Sequence, residues 1–392
     1  MAPTVVLLLK TTGLEDDDRV RKECASLHAC GEEPFVLVLD RRNRAETGRT
    51  EQGVSYRAIR LLSRHVFPRR RGLILKLAET YLRFTTRVIL VRPRVVWLHN
   101  VELAGLLPVL SLLRRVAGIE RIIWDQHELP PNWMIQTRLG RAVLGWLCGL
   151  ADAVVVASGE RRKMLLQLVG GRAGKEVHVL ENYPDDHFAQ LPVGPIPADL
   201  KDWLNGRRYF VAQGGAAPGR RFEELAEAIL KTTEFCLVVV GFHDQRTLQF
   251  LDQKYGERWR RQVFFTGFIP QLQLHRYLDG AIGSVVFYAN VSSNNWLCAP
   301  NRLYQAISRG LPVLVGANPP MASVVRKFGC GIVLSSDGSD PEEIAEALCE
   351  LARNEAVYRA AAQKASRRLL WNMQDGTIAR IVRPPEVSSL PA

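Results

Sequence analysis

The sequence predicts an α/β protein of two Rossmann-like, doubly wound domains facing a central cleft. Three observations carry that prediction. The chain has 392 residues, more than one hydrophobic core usually holds, since cores seldom grow past about 250 to 300 residues. Short runs of Val, Ile and Leu alternate with longer segments of helical period, the pattern of parallel strands covered on both faces. The second half then repeats the scheme of the first.

In the first half the apolar runs are VVLLL at 5–9, FVLVL at 35–39, VVWLH at 95–99, RIIWD at 121–125 and AVVVA at 153–157. In the second they are YFVAQ at 209–213, FCLVVVG at 235–241, QVFFTG at 262–267, GSVVFY at 283–288 and LPVLVG at 311–316. Between the halves, ENYPDDHFAQLPVGPIPADL (181–200) is rich in Pro and Asp and lacks periodicity, so it reads as the linker. The expected domains are 1–183 and 201–366, with 184–200 between them and a final helix from 367 returning to the first domain before a frayed tail.

Apolar residues make up 47% and charged residues 23%, the balance of a globular protein. The seven cysteines are scattered and none is spaced as CxxC, which argues against a disulfide framework or a zinc site and for a cytoplasmic protein. MAPTVVLLLK reads as a first strand and not as a signal peptide. The longest apolar stretch, 142–158, is shorter than the roughly 20 residues of a bilayer span and is interrupted by Asp152. A net charge of +12 implies attraction to something anionic. The basic residues are spread over both halves without a nucleic-acid module, so no nucleic-acid partner is expected.

In open α/β sheets ligands gather beyond the carboxyl ends of the strands. After the first strand, KTTGLEDDD carries the flexible Gly13, and Asp16, Asp17 and Asp18 read as an acidic first helical turn and not as a metal triad. Within 63–94 an amphipathic helix can be drawn, with Arg69, Arg70, Arg71, Lys76, Arg83 and Arg87 among aliphatic residues. It suits an anionic membrane surface, or else a crossover helix with a solvated basic face. WDQHELPPN (124–132) sets Asp125, His127 and Glu128 at a strand end, where histidine suits proton or charge work near neutral pH. QGGAAPGRR (213–221) offers Gly214 and Gly215 for close backbone approach, and Arg220 and Arg221 for phosphate oxygens; a plain strand-to-helix turn reads equally well. In SSNNWLCAPNRLYQAISRGLPVLVG (292–316), Pro300 starts a helix whose free N–H groups suit a diphosphate, or which is an ordinary capped helix with a Gly stop.

Together these segments resemble glycosyltransferase family 4, a GT-B group, over nearly the whole chain. DDDRVRKECASLHACGEEPFVLVL resembles the family's opening unit, WDQHEL its D-x-HE signature, and APNRLYQAISRGLPVL its donor-site helix. The resemblance implies a glycosyltransferase moving a sugar from a nucleotide-sugar donor to a glycan or lipid-linked acceptor, with retention and without a metal or other cofactor. It implies His127 and Glu128 as catalytic residues. Donor contacts would come from Gly13, Gly215, Arg220, Asn294, Asn295, Asn301, Arg302 and Gln305, with Arg220 and Arg302 on the diphosphate. Three positions depart from the pattern: Gln305 and Leu297 stand where the family carries glutamates, and Gly214, Gly215 and Ala216 where it carries a first basic residue. A catalytically inert scaffold binding a nucleotide sugar or a partner protein is the alternative, and a nucleotide-sugar epimerase a further one. Peripheral membrane contact through 63–94 would place the protein at the inner face of the membrane.

Overall fold

The computed structural model describes residues 3–15, 17–67, 71–170 and 176–383. They form two compact units, one of Met1–Glu181 with Gln374–Ala392, the other Asn182–Met373.

Unit 1 is built on eight strands: β1 (Val5–Lys10), β2 (Pro34–Leu39), β3 (Thr47–Arg49), β4 (Ser55–Ala58), β5 (Val95–His99), β6 (Arg121–Gln126), β7 (Ala153–Val156) and β8 (Glu176–Val179). Their order is β3-β4-β2-β1-β5-β6-β7-β8. All pairs are parallel except β3 with β4, a short polar ribbon at one edge. The central strands are buried on both faces, as their unbroken Val, Ile and Leu runs require. The strand order reverses direction between β1 and β5, which opens a crevice at their carboxyl ends.

Unit 2 has six parallel strands, β9 (Arg208–Gln213), β10 (Phe235–Val240), β11 (Val263–Gly267), β12 (Gly283–Val286), β13 (Val313–Val315) and β14 (Gly331–Val333), in the order β11-β10-β9-β12-β13-β14. Its own reversal falls between β9 and β12. Two apolar clusters cover the two faces of this sheet, one around Tyr209, Leu303 and Met321, the other around Phe210, Ile229 and Leu348.

Three details differ from the sequence expectations. The stretch 184–200 holds the helix Asp186–Gln190 and the start of the helix Ala198–Leu204, and it groups with unit 2. The change of unit at the far end falls after Met373, so 367–373 stays with unit 2. The helix Asp375–Val382 packs on unit 1: Ser26 Oγ donates to Asp375 at 2.6 Å, and Ile378, Ile381 and Val382 are fully buried. The single helix drawn through 63–94 is interrupted as well. Ser63–Val66 is one short turn, the chain then passes Gly72 at φ +65°, and Leu73–Val91 is the long helix. Any Cβ at Gly72 would lie 2.6 Å from the Phe67 ring, so the break is built in. Arg69, Arg70, Asp16 and the tail beyond Arg383 lie outside the described residues.

Candidate functional site

In unit 1 a polar cluster gathers beneath the β1/β5 crevice. Parallel register sets His99, the last residue of β5, beside Asp125 near the end of β6. The helix Asp18–Ala29 supplies Arg19 and, one turn on, Glu23. Arg19 grips Asp125 through Nη2 at 2.9 Å and Nε at 3.3 Å, and its Nη1 donates to the Leu180 carbonyl at 2.9 Å. Its Nε also lies 3.0 Å from Glu23. His99 Nδ1 lies 2.9 Å from His127 Nε2, which in turn is 3.4 Å from Asp125 Oδ2. His99 Nε2 faces Glu23 Oε2 at 3.4 Å.

The charge states follow from burial. Glu23, His99 and Asp125 have no exposed surface. Burial favours the neutral form of each, and only Asp125 is overruled: its bond to Arg19 holds it ionised, well below the usual carboxylate range. Glu23 has only the side of a guanidinium already committed, with anionic Asp125 close by, so burial pushes its carboxyl well up and keeps the proton on it. Burial and the neighbouring His127 pull His99 well below its ordinary value, leaving it neutral. Ionised Asp125 favours a proton on His127 Nε2, shared with His99 Nδ1, and leaves Nδ1 as the ring nitrogen without a partner among the described residues.

These four side chains also have metal-ligand chemistry, with ligand atoms within 4.8 Å of one another. They do not fit a divalent cation well, because Arg19 already places a buried positive charge against Asp125 and Glu23.

His127 is the member that reaches the surface, with 19% of its side chain exposed. It lines a cavity of about 740 Å³ together with Lys10, Thr12, Asn100 and Glu128. Glu128 is exposed and Arg161 holds the His127 carbonyl. Gly13 follows the cavity-lining threonines, and Thr11 Oγ1 donates to its carbonyl at 3.5 Å. Asp17 caps the helix through the Val20 N–H, and Asp18 pairs with Lys22 and Arg21, so these acids act in the first helical turn.

In unit 2 the two loops flagged by sequence meet at the β9/β12 reversal. Gly214 and Gly215 both donate to the Val240 carbonyl, at 2.7 and 2.8 Å, with φ of +94° and +79°. A Cβ on Gly215 would lie 2.0 Å from the Phe242 carbonyl oxygen, and one on Gly214 would lie 2.2 Å from Arg220 Nη1. The loop therefore has to be glycine, and Arg220 lies folded against it. Arg220 has no hydrogen-bond or ion-pair acceptor among the described residues. Arg221 is different: it pairs with Glu224 at 2.9 Å and with Asp337 at 2.7 Å, which removes it from the phosphate ligands expected.

The helix Asn301–Ser308 begins at Pro300 with no side-chain cap. Arg302, in its first turn, is 8% exposed. Its guanidinium donates to the carbonyls of Gln213 and Phe287, the residues just beyond the reversal, and stacks 4.4 Å from the Tyr288 ring centre. Arg302 thus braces the switch point instead of presenting a charge at the surface. Asn294 and Asn295 sit in the short helix Ser293–Trp296, capped by Ser292. A Cβ on Gly219 would come within 3.8 Å of the Asn295 amide. Asn301 is exposed at the helix start, and Gln305 is buried one turn later.

Residues 208–368 match the family described as glycosyl transferases group 1. The chain is a glycosyltransferase. The match spans β9 to the end of the helix Glu355–Ser366, and so contains Gly215, Arg220, Asn301, Arg302 and Gln305.

Solved structures give the glycosyltransferase the GT-B fold. Sucrose-phosphate synthase from Thermosynechococcus elongatus superposes with a TM-score of 0.72 at 16% identity, over 97% of this chain and 98% of that one. The HepE protein of Anabaena, in complex with UDP and glucose, gives 0.71 at 13% identity over 96% and 98%. The trehalose-6-phosphate structure from E. coli bound with UDP-2-fluoro glucose gives 0.71 at 12% over 97% and 99%. No curated protein matches the chain in sequence.

The glycosyltransferase thus brings together His127 with Asp125, and Arg220 with Gly214, while Gly219 of the same loop lies near Asn295. Sequence reasoning missed Arg19, Glu23 and His99. A usable signal for His99 existed, since it closes an apolar run just as Asp125 does.

Proposed function

We propose that this glycosyltransferase uses a UDP-sugar, holds the donor diphosphate on unit 2, and transfers the sugar with retention and without a metal to a glycan or lipid-linked acceptor. The observation that carries the reading is Arg220. It is a guanidinium without an acceptor among the described residues, laid on a glycine loop at a sheet reversal and near Arg302 in the first turn of the uncapped helix Asn301–Ser308. Free N–H groups and an unpaired arginine together suit a diphosphate whose negative charge grows as the glycosidic C–O bond breaks. Two of the structural neighbours contain UDP or a UDP-sugar, which favours a uridine donor.

In unit 1, His127 is the polar group suited to the transferred sugar, since Asp125 steadies its ring and any positive charge it takes up. Glu128 lines the same cavity. Asn294 and Asn295 are proposed to bind sugar hydroxyls, and Gln305 to offer the ribose one neutral acceptor where a carboxylate is usual in the resembled family.

The helix Leu73–Val91 supports peripheral contact with an anionic membrane on the cytoplasmic side. Leu75, Leu82 and Leu90 lie along one stripe at helical period and are 54%, 68% and 66% exposed. Such an apolar stripe beside Arg87 and Lys76 suits the headgroup boundary. Among the described residues no helix is long and apolar enough to cross a membrane.

Thermal-shift measurements with UDP-, GDP-, ADP- and CMP-sugars test the donor site. A UDP-sugar should raise the melting temperature of the wild type and fail to raise that of Arg220→Ala, because only ligands that bind the folded state stabilise it. His127→Ala should keep the shift and lose transfer. Equal shifts in wild type and Arg220→Ala would remove the diphosphate from this loop.

A further inference from the structure

Three loops meet around the β9/β12 reversal in unit 2, and one carboxylate joins them. Asp337 belongs to the loop after β14, with 9% of its side chain exposed. Its Oδ2 takes the Arg221 guanidinium at 2.7 Å, from the loop after β9, and the Asn290 N–H at 2.6 Å, from the loop after β12. A second tie runs between the same two loops, where the Ala289 N–H donates to the Gly219 carbonyl at 3.0 Å. Burial alone would raise the Asp337 carboxyl, but the bonds from Arg221 and Asn290 hold it below its ordinary value and so ionised. Its seat is steric. A Cβ on Gly338 would lie 2.7 Å from the Phe287 ring, and one on Gly316 would lie 2.9 Å from the Asp337 carbonyl carbon.

Arg221 needs such an anchor. Its φ is +54°, in the left-handed region that disfavours residues with a Cβ. The helix Phe222–Thr232 starts directly after it and takes no side-chain cap from it. Glu224, in the first turn of that helix, pairs with Arg221 at 2.9 Å but ties it to no other loop. Asp337 does. Backbone strain persists only where its surroundings over-determine it, and it gathers at ligand sites. Here the strained residue directly follows Arg220, whose guanidinium lies folded against Gly214. A shift at Arg221 therefore moves Arg220 first.

We propose that Asp337 is a positioning residue for donor binding: it clasps Arg221 to the loop after β12 and thereby holds Arg220 in place for the donor diphosphate. The proposal rests on the donor reading above and adds what keeps its arginine in position. Asp337 itself touches no ligand in this arrangement, because both of its bonds are spent on the protein.

Calorimetric titration of the full chain with UDP tests this in wild type, Asp337→Ala, Arg220→Ala and the double variant, at a temperature below every melting transition. Asp337→Ala should weaken UDP binding about tenfold, the scale of one charged hydrogen bond. In the Arg220→Ala background the same substitution should change nothing, since residues that act through one another are not additive. Asp337→Asn keeps an oxygen for both donors and should recover most of the affinity. Arg221→Gly approaches the clasp from its other end. It relieves the left-handed backbone, so its melting temperature should stay near that of wild type while its UDP affinity falls as in Asp337→Ala. This variant carries the test if Asp337→Ala does not fold.

Wild-type UDP affinity in Asp337→Ala or in Arg221→Gly would overturn the proposal. So would a loss of equal size with and without Arg220, which would make Asp337 a support of unit 2 at large. Failure of the donor reading would register separately, as a wild type that does not bind UDP.

Discussion

At the scale of single residues, the arginines divide into those that bind the protein and those left for a ligand. Arg302 ties two carbonyls across a strand reversal, so Arg302→Lys should lower the melting temperature, because an ammonium cannot span both carbonyls and cover Tyr288. Arg220→Ala should leave stability nearly unchanged and cost donor affinity about tenfold to a hundredfold, the range of one charged hydrogen bond. Opposite results for the two would exchange their roles.

The buried pair Glu23 and His99 gives a pH signature. A carboxyl whose folded value is raised above its ordinary 4.5 stabilises fully below that value and loses stability as pH rises above it. A histidine lowered below 6.5 does the reverse, losing stability as pH falls beneath 6.5. Between 4.5 and 6.5 the two slopes, each at most about 1.4 kcal/mol per pH unit, have opposite signs and offset each other. Glu23→Gln should uncover the histidine slope in that window and should be more stable than wild type at pH 8. Chemical denaturation of both proteins across pH 4.5 to 8 measures the difference. Glu23 was not legible as part of a site because it lies within an ordinary helical pattern, whereas His99, which closes an apolar run, could have been found and is joined to the D-x-HE segment by the register of β5 and β6. Asp125 and His127 were legible because they end an apolar run in a short motif.

At the scale of elements, the sequence displayed what is buried on both sides. Every apolar run became a strand, and all but β11, at the edge of its sheet, lie inside one. The elements it did not display are the ones whose faces are half open or whose length is minimal: the polar β3 and β4, the half-buried edge β8 and the three-residue β14. Periodicity cannot reveal a strand of three residues. The helices inside 184–200 escaped for the same reason, five and seven residues being too short to show a face.

The glycine turn after β9 was legible as a loop, though its reason is steric. Gly215→Ala should destabilise by at least about 1–2 kcal/mol from its positive φ alone, with the contact to Phe242 added, and should weaken UDP binding through a displaced Arg220. Removing Gln374 onward should lower the stability of unit 1 by several kcal/mol, since the three buried aliphatic side chains of that helix are worth roughly 1.5–3 kcal/mol each. Its melting curve against that of the intact chain checks this.

At the scale of the whole molecule, two units with separate cores imply separable unfolding. Differential scanning calorimetry should resolve two transitions, and UDP at a hundredfold its dissociation constant should add about 2.7 kcal/mol to only one of them. A single transition shifted as a whole would mean that the cores unfold together. The two-domain α/β class was legible from the doubled strand pattern, and the return of the final helix to unit 1 was expected from 367, whereas the change of unit falls after Met373.

That division orders the protein's birth on the ribosome. Unit 2 is one unbroken segment, whereas unit 1 needs Ile378, Ile381 and Val382, which are translated after all of unit 2. The domain begun first is therefore completed second. Until then the partner surface of the helix Asp18–Ala29 stays uncovered on the nascent chain, a natural resting place for a chaperone.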